Sequence, residues 1–156
     1  MNKLLIELMA MLEALRLLHH TLHLNACGCA GYARHLLFER LYGGIVDDFD
    51  KIGEHAVRLG AKVCPCDIAK QAMKWQETWE GEENDIAHGL TGETALVRAI
   101  SVICKKVGDA DLGVDNTLRA MAESHGTAMY LLGQAMKECC CCNSKDILDE
   151  DDEENE

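Results

Sequence analysis

Apolar residues recur at helical spacing along most of the chain, and three polar or glycine-rich stretches interrupt this pattern. The interruptions begin at "NACGCAGY", at "AKVCPCDIAK" and at "GDADLGVDN". The segments between them predict four long helices, at about 4–24, 32–59, 86–107 and 116–137. Gly60 follows the second of these segments, and glycine is a common residue at a helix C-terminus.

The connection 61–84 is the longest of the three and predicts a short helix of its own. It contains the only proline of the chain, Pro65, and Asp67 is a suitable cap for a helix that carries Trp75 and Trp79. We expect these tryptophans to pack at an interface. Four long helices with short first and last connections and one long crossover predict an all-α, ferritin-like four-helix bundle, with the short helix between helices 2 and 3.

Length and composition agree with one helical domain. The chain has 156 residues, of which 48% are apolar and only 4% aromatic. We assign residues 1–138 to the bundle and predict that 139–156, rich in cysteine and then in acids, form a disordered tail.

Charge and cysteine content limit the possible partners and the cellular location. The net charge is −12, but eight of the 27 acids lie in 146–156, and the remaining 19 acids face 15 bases, a net charge of −4. The mildly acidic body and strongly acidic tail argue against binding to a phosphate backbone, which requires Lys and Arg, so we expect no DNA binding. Nine cysteines without a signal peptide predict a reducing, cytoplasmic location, and no apolar run is long enough to span a membrane.

Five potential metal ligands lie at the end of the first helix and along the second: His23, His35, Glu39, Asp50 and Glu54. At about 100° per residue the last four fall at roughly 0°, 40°, 60° and 100° and share one helix face. A solvated acidic face or a structural histidine explains any single residue. Together, two imidazoles and three carboxylates form a nitrogen and oxygen ligand set that suits iron, manganese or zinc.

Distance along the helix separates this set into two halves. Asp50 lies 15 residues after His35, or roughly 22 Å along the axis, so one ion cannot contact both within one chain. If two copies of the helix pack antiparallel about a two-fold axis, His23, His35 and Glu39 of one chain meet Asp50 and Glu54 of the other. The spacing therefore predicts a site completed by a partner subunit.

The same spacing resembles the ferroxidase motif of the Dps mini-ferritins, proteins that protect DNA in starved cells. Asn25, Gly28 and Tyr32 match the turn of that family, "DLGV" at 111–114 resembles the stretch before its last helix, and His125 with Tyr130 resembles a later His and Trp pair. The resemblance covers about 10–135. It implies a homo-dodecameric shell that oxidises Fe(II), preferably with hydrogen peroxide rather than oxygen, and stores the ferric product.

The resemblance also implies a ligand role for each residue of the motif. Two irons, or one tightly and one loosely bound, would lie among His23 and His35 of one chain and Asp50 and Glu54 of the next, with Glu39 as a bridging or weaker ligand. Three acids before the last helix stand where the family builds a three-fold pore, and in a shell they could guide Fe(II) inward. Their alternative role is to stabilise the start of that helix. The pore candidates are Asp109, Asp111 and Asp115.

Three departures from the family pattern affect these expectations. Leu22 and Leu24 replace the usual tryptophans beside the first histidine, which removes an aromatic wall. Glu39 stands where aspartate is commoner, and its extra methylene could shift the metal. The basic tail that lets some members bind DNA is replaced by an acidic one.

Histidine and cysteine spacing leave other functions open. "HHTLH" spaces His19 and His23 like a zinc-protease pair but has no glutamate to act as base. The surplus cysteines, in Cys27-x-Cys29, Cys64-x-Cys66 and the run 139–142, permit a protein that sequesters soft metals without turnover. A third possibility is a scaffold whose acidic tail recruits a basic partner.

Overall fold

A computed structural model describes residues 1–79 and 84–137, with the side chain of Asp109 left out. The tail predicted for 139–156 lies outside these residues. The described residues form five α-helices and one 3₁₀ turn, without a β-strand. The helices are α1 (Asn2–Asn25), α2 (Gly31–Arg58), α3 (Pro65–Trp79), α4 (Asp85–Val107) and α5 (Leu112–Ala135), and the 3₁₀ turn is Gly108–Ala110.

The predicted fold class is confirmed: four long helices form the bundle, and α3 is the short helix of the crossover. α1 lies at the centre, because it packs against α2, α3 and α4, while α5 packs against α4 and α2. The buried side chains of α1 occupy most of its circumference, as expected for a helix with neighbours on several sides. None of the described helices is long and apolar enough to cross a membrane.

Three sequence expectations need correction at the level of single residues. α5 begins at Leu112, four residues before the predicted start, because Asp111 accepts a hydrogen bond from the Val114 backbone N–H at 3.1 Å and caps the helix. Asp67 lies inside the first turn of α3, which begins at Pro65, a common first residue of helices. Trp79 is fully buried in the core of the protomer.

α2 ends in a glycine motif, as the sequence predicted. The N–H of Gly60 donates to the Val57 carbonyl and the N–H of Ala61 donates to the Ala56 carbonyl, both at 2.9 Å. Gly60 has φ +88°, a left-handed conformation that other residues adopt only with strain. The motif ends the helix that carries four of the five proposed ligands.

We therefore expect Gly60→Ala to lower the free energy of unfolding by about 1–2 kcal/mol, because alanine is strained at this φ. Gly126→Ala is the control, since Gly126 lies within α5 and a Cβ atom there would meet nothing within 4 Å. That change should stabilise the helix by up to about 1 kcal/mol. Urea unfolding of both variants measures the difference. Equal stability of the two variants would contradict the strain argument.

Candidate metal centre

The structure brings His23 and His35 together across the turn between α1 and α2. The two rings are stacked with centroids 3.7 Å apart and planes inclined by 28°. His23 Nδ1 lies 3.0 Å from the backbone oxygen of His35, and His35 Nδ1 lies 3.0 Å from the backbone oxygen of His23. Each histidine therefore orients the other through a reciprocal hydrogen bond.

These hydrogen bonds fix which ring nitrogen is available to a metal. A carbonyl oxygen only accepts, so both Nδ1 atoms must carry hydrogen and donate. In the neutral imidazole the lone pair then lies on Nε2. Neither Nε2 atom forms a hydrogen bond within the described part of the chain. A metal-binding histidine commonly has this arrangement, with its second nitrogen donating to a carbonyl.

The three acidic members of the predicted set are exposed on α2. Glu39, Asp50 and Glu54 form no hydrogen bond or ion pair with another described residue. α2 is one uninterrupted helix, so Asp50 and Glu54 stay far from the histidine pair of the same chain. Among the described residues of one protomer, no group of three or more His, Cys, Asp or Glu side chains is placed to hold a metal ion.

An exposed apolar row accompanies these acids along α2. Tyr32 is 78% exposed and Val57 is 58% exposed, near the two ends of the helix. On a helical wheel the apolar and acidic members lie within about 40° of Tyr32 on either side. We call this surface the outer face of α2. Its members are Tyr32, Leu36, Glu39, Val46, Asp50, Glu54 and Val57.

Tyr42 supplies an aromatic neighbour to the histidine pair. Its ring lies edge-on to His23 at a centroid distance of 5.3 Å, and it is 4.7 Å from His20. The loss of aromatic residues at 22 and 24 was visible in the sequence, but the role of Tyr42 was not. The sequence does not show that Tyr42 contacts these histidines, because the contact depends on how α1 packs on α2.

Two of the three pore candidates, Asp111 and Asp115, form hydrogen bonds within the protomer. Asp111 caps α5 and lies 2.7 Å from Arg58, and the hydrogen bond from the Val114 N–H together with Arg58 lowers the pKa of Asp111. Asp115 is buried and accepts a hydrogen bond from Arg119 at 2.7 Å. The side chain of Asp109 is not among those described. A pore role for Asp109, Asp111 and Asp115 thus remains a prediction about an assembled shell.

Solved structures match this architecture over nearly the whole chain. Dps from Mycobacterium smegmatis matches with a TM-score of 0.77 at 18% identity, over 89% of this chain and 82% of that one. This chain has the Dps fold. Dps from Vibrio cholerae O1, described as a member of a superfamily of ferritin-like diiron-carboxylate proteins, matches with a TM-score of 0.77 at 17% identity, over 87% and 88% of the two chains.

A third structure extends the same likeness. Dps from Thermosynechococcus elongatus matches with a TM-score of 0.76 at 16% identity, over 91% of this chain and 95% of that one. No protein-family model and no curated sequence matches the chain. The Dps fold is therefore established from the three-dimensional likeness, at identities where sequence comparison gives no match.

A second group of ionisable residues lies inside this Dps fold and was not predicted. Glu93 Oε1 is 2.8 Å from His19 Nε2, and Glu93 Oε2 is 2.6 Å from His125 Nδ1. All three side chains are buried. His125 Nε2 faces Asp48 Oδ2 at 3.5 Å. α1, α2, α4 and α5 thus each contribute one residue to this core cluster of His19, Asp48, Glu93 and His125.

A glycine of α4 allows the helices to pack closely around the core cluster. A Cβ atom on Gly89 would lie 3.2 Å from His19 Cε1 and 3.3 Å from Phe38. Glycine at position 89 therefore lets α4 approach the His19 ring, which stacks on Phe38 at 5.7 Å. A glutamate within the apolar run of α4 was the sequence signal for this cluster, because a buried acid requires partners.

Opposing effects set the pKa values of the core cluster. Burial disfavours the charged form of Glu93, but hydrogen bonds from His125 and His19 outweigh it and lower the pKa of Glu93. Burial likewise opposes charge on His125, but Asp48 and Glu93 outweigh it and raise the pKa of His125 to about 9. In the metal-free protein His125 is consequently an imidazolium between two carboxylates at neutral pH.

The raised pKa of His125 predicts how stability changes with pH in the metal-free protein. The folded chain keeps a proton that the unfolded chain loses near pH 6.5, so this contribution is complete below pH 6.5 and disappears as the pH rises through about 9. The stability difference between wild type and His125→Gln should shrink by roughly 2–3 kcal/mol between about pH 6 and about pH 10. Urea unfolding measures it, and a constant difference would contradict the assignment.

The described cysteines are free thiols. Cys27, Cys29 and Cys66 are exposed, and Cys64 and Cys104 are half-buried. Burial is the largest effect that raises the pKa of Cys104. Cys27 and Cys29 lie in the turn that joins the two histidine-bearing helices, and the run 139–142 lies outside the described residues.

Proposed function

We propose that this protein is a ferroxidase and iron store that oxidises Fe(II) at sites shared between two subunits. The observation that supports this most directly is the reciprocal bonding of His23 and His35, which leaves both Nε2 atoms available as ligands. Carboxylates complete a site that suits iron and stabilise Fe(III) as it forms. Within one chain, Asp50 and Glu54 are too far from the histidines to complete the site.

The outer face of α2 supports a particular antiparallel pairing. If His35 meets Glu54 of a second chain, the two-fold axis passes between residues 44 and 45 of each helix. The same axis produces four kinds of pair, whose members are all exposed in the protomer except the half-buried His35. The resulting pairs are Tyr32 with Val57, His35 with Glu54, Glu39 with Asp50, and Gly43 with Val46, in both directions.

This register explains why the outer face of α2 combines apolar and acidic residues. Apolar pairs lie at the two ends and near the axis, where they bury surface that is otherwise exposed to water. Gly43 lies beside the axis, and a Cβ there would meet nothing within 4 Å in the protomer, so its small size serves the approach of a second helix. The carboxylates in between form no hydrogen bond or ion pair with the described residues of their own chain.

In the proposed reaction, iron is the substrate. His23 and His35 of one chain bind Fe(II) through Nε2, and Asp50 and Glu54 of the other chain bind through oxygen, with Glu39 as a bridging or weaker ligand. One hydrogen peroxide molecule accepts one electron from each of two Fe(II) ions and takes up two protons, giving two Fe(III) ions and two water molecules. This two-electron reduction avoids hydroxyl radicals, which gives protection against oxidative damage.

Storage is the second half of the proposal. The Dps fold supports a homo-dodecameric shell that keeps the Fe(III) product inside, and the free thiols agree with a reducing cytoplasmic setting. Asp109, Asp111 and Asp115 are the proposed entry residues, repeated around a three-fold axis. The proposal includes no DNA binding.

Stopped-flow absorbance of the ferric product after mixing Fe(II) with hydrogen peroxide tests the reaction, and native mass tests the shell. We expect a species of about twelve chains that oxidises two Fe(II) per peroxide, and slower oxidation with oxygen in place of peroxide. A protein that forms no shell and does not accelerate Fe(II) oxidation above the protein-free rate would refute the proposal. Binding of soft metals by such a protein would favour the thiol-based alternative.

A further inference from the structure

His125 has a ring nitrogen, Nε2, that faces Asp48 but forms no hydrogen bond within the core cluster. The side chain is 4% exposed, and its Nε2 atom forms no hydrogen bond with the described residues. A buried polar atom of this kind is costly unless something binds it. The nearest acidic group is the carboxylate of Asp48, across the interface between α5 and α2.

The separation of these two groups suits a shared cation. His125 Nε2 and Asp48 Oδ2 are 3.5 Å apart, which exceeds the usual length of an N–H···O hydrogen bond. Two ligands that each bind one ion at about 2.1 Å in tetrahedral geometry are about 3.4 Å apart. The pair therefore has the spacing of two ligands of one first-row divalent ion.

The rest of the core cluster orients His125 for this role. Its Nδ1 bonds to Glu93 at 2.6 Å, and the second oxygen of Glu93 is held by His19 at 2.8 Å. A carboxylate that binds the far nitrogen of a histidine fixes the ring and makes Nε2 a better ligand. Three helices thus hold one nitrogen in a fixed direction.

A cavity gives access to the same two groups. It has a volume of about 230 Å³, and its lining includes Asp48, Glu93, His125 and Ser124. Arg40, which is exposed, also lines it, so the cavity wall carries two carboxylates and one guanidinium. The other oxygen of Asp48, Oδ1, forms an ion pair with the exposed Lys51 ammonium at 3.6 Å, and Oδ2 is the oxygen that faces His125. Water molecules in the cavity can complete the coordination.

We propose that Asp48 and His125 bind one divalent transition-metal ion within each protomer, with Glu93 and His19 as positioning residues. This intra-bundle site does not depend on the shell or on the ferroxidase proposal. Asp48 lies about 160° around α2 from Asp50, so it faces α5 and not the partner subunit. Its two protein ligands and water molecules form an open site suited to Fe(II), Mn(II) or Zn(II).

Mn(II) titration followed by electron paramagnetic resonance tests this site, because Mn(II) prefers oxygen and nitrogen to thiolates. The full-length, metal-free chain is used with His35→Ala and Glu54→Ala, which remove both halves of the inter-subunit site. Asp48→Asn is introduced into this background, and Asp47→Asn is the matched control. Asp47 is an exposed acid next in sequence that does not face His125.

We expect one bound Mn(II) per chain in the background and in Asp47→Asn, and at least about tenfold weaker binding in Asp48→Asn. Any Mn(II) binding by the acidic tail is the same in all variants, so it does not affect the difference between their titrations. Glu93→Gln should weaken binding by about tenfold or more through the orientation of His125. Equal titrations of the two aspartate variants, with equal circular dichroism, would overturn the proposal, as would a background that binds no Mn(II).

Discussion

Replacing His35 with alanine should lower the rate of Fe(II) oxidation at least about hundredfold. Loss of a residue that only orients a ligand already costs 10–100-fold, and His35 is proposed as a ligand itself. His23 should keep its orientation, because it bonds to the backbone oxygen of residue 35, which alanine retains. The measurement is the initial rate of ferric absorbance after mixing with Fe(II) and peroxide.

His55→Ala provides the matched control for that loss. His55 lies on the same helix, but its Nε2 is 2.8 Å from the Thr117 hydroxyl and its ring is away from the outer face of α2. We expect this variant to oxidise iron at nearly the wild-type rate. If His35→Ala retained the wild-type rate while remaining assembled, His35 would not be a ligand and the proposed site would be wrong.

Gly43→Leu should separate the subunits and abolish oxidation together with assembly. Gly43 lies beside the proposed two-fold axis, where each side chain meets the partner helix close to its own symmetry mate. Leucine there would hold the two helices apart by the size of a side chain. The protomer itself has room for it, since a Cβ on Gly43 meets nothing within 4 Å, and leucine favours the helix.

Native mass and circular dichroism distinguish loss of assembly from loss of folding. We expect Gly43→Leu to keep its helical content while its native mass falls well below twelve chains. Gly126→Leu, at an exposed helical glycine of α5 that also has nothing within 4 Å, should leave the two-fold pairing and the oxidation rate intact. A fully assembled and active Gly43→Leu protein would place the two-fold axis elsewhere.

The helices could be predicted from the sequence because their apolar residues recur with a helical period and their ends carry recognisable signals. Gly60 is one such signal, and the structure explains it by a positive φ. The predicted start of α5 is four residues too late, because "GDADLGVDN" has the composition of a turn although its Asp111 caps the helix. A capping aspartate and a pore aspartate look alike in the sequence.

The ligand set could be proposed from the sequence because its spacing is local to one turn and one helix. The core cluster could not, because it depends on how four helices pack. His19 appeared only as part of an imitation of a zinc-protease motif, and Asp48 was not distinguished from its neighbours Asp47 and Asp50. Only the packing of α1, α4 and α5 places Glu93 between two histidines. Trp79 was likewise assigned to an interface, whereas the packing buries it in the core.

Co-expression of two inactive chains tests most directly whether each site is built from two subunits. One chain carries His35→Ala and the other carries Glu54→Ala, so neither alone forms a complete site. In a two-fold dimer of the two, one site has both defects and the other has none. Random mixing should therefore restore about a quarter of the wild-type sites and a similar share of the oxidation rate. Mixed shells that are fully assembled yet no more active than either variant alone would contradict the account.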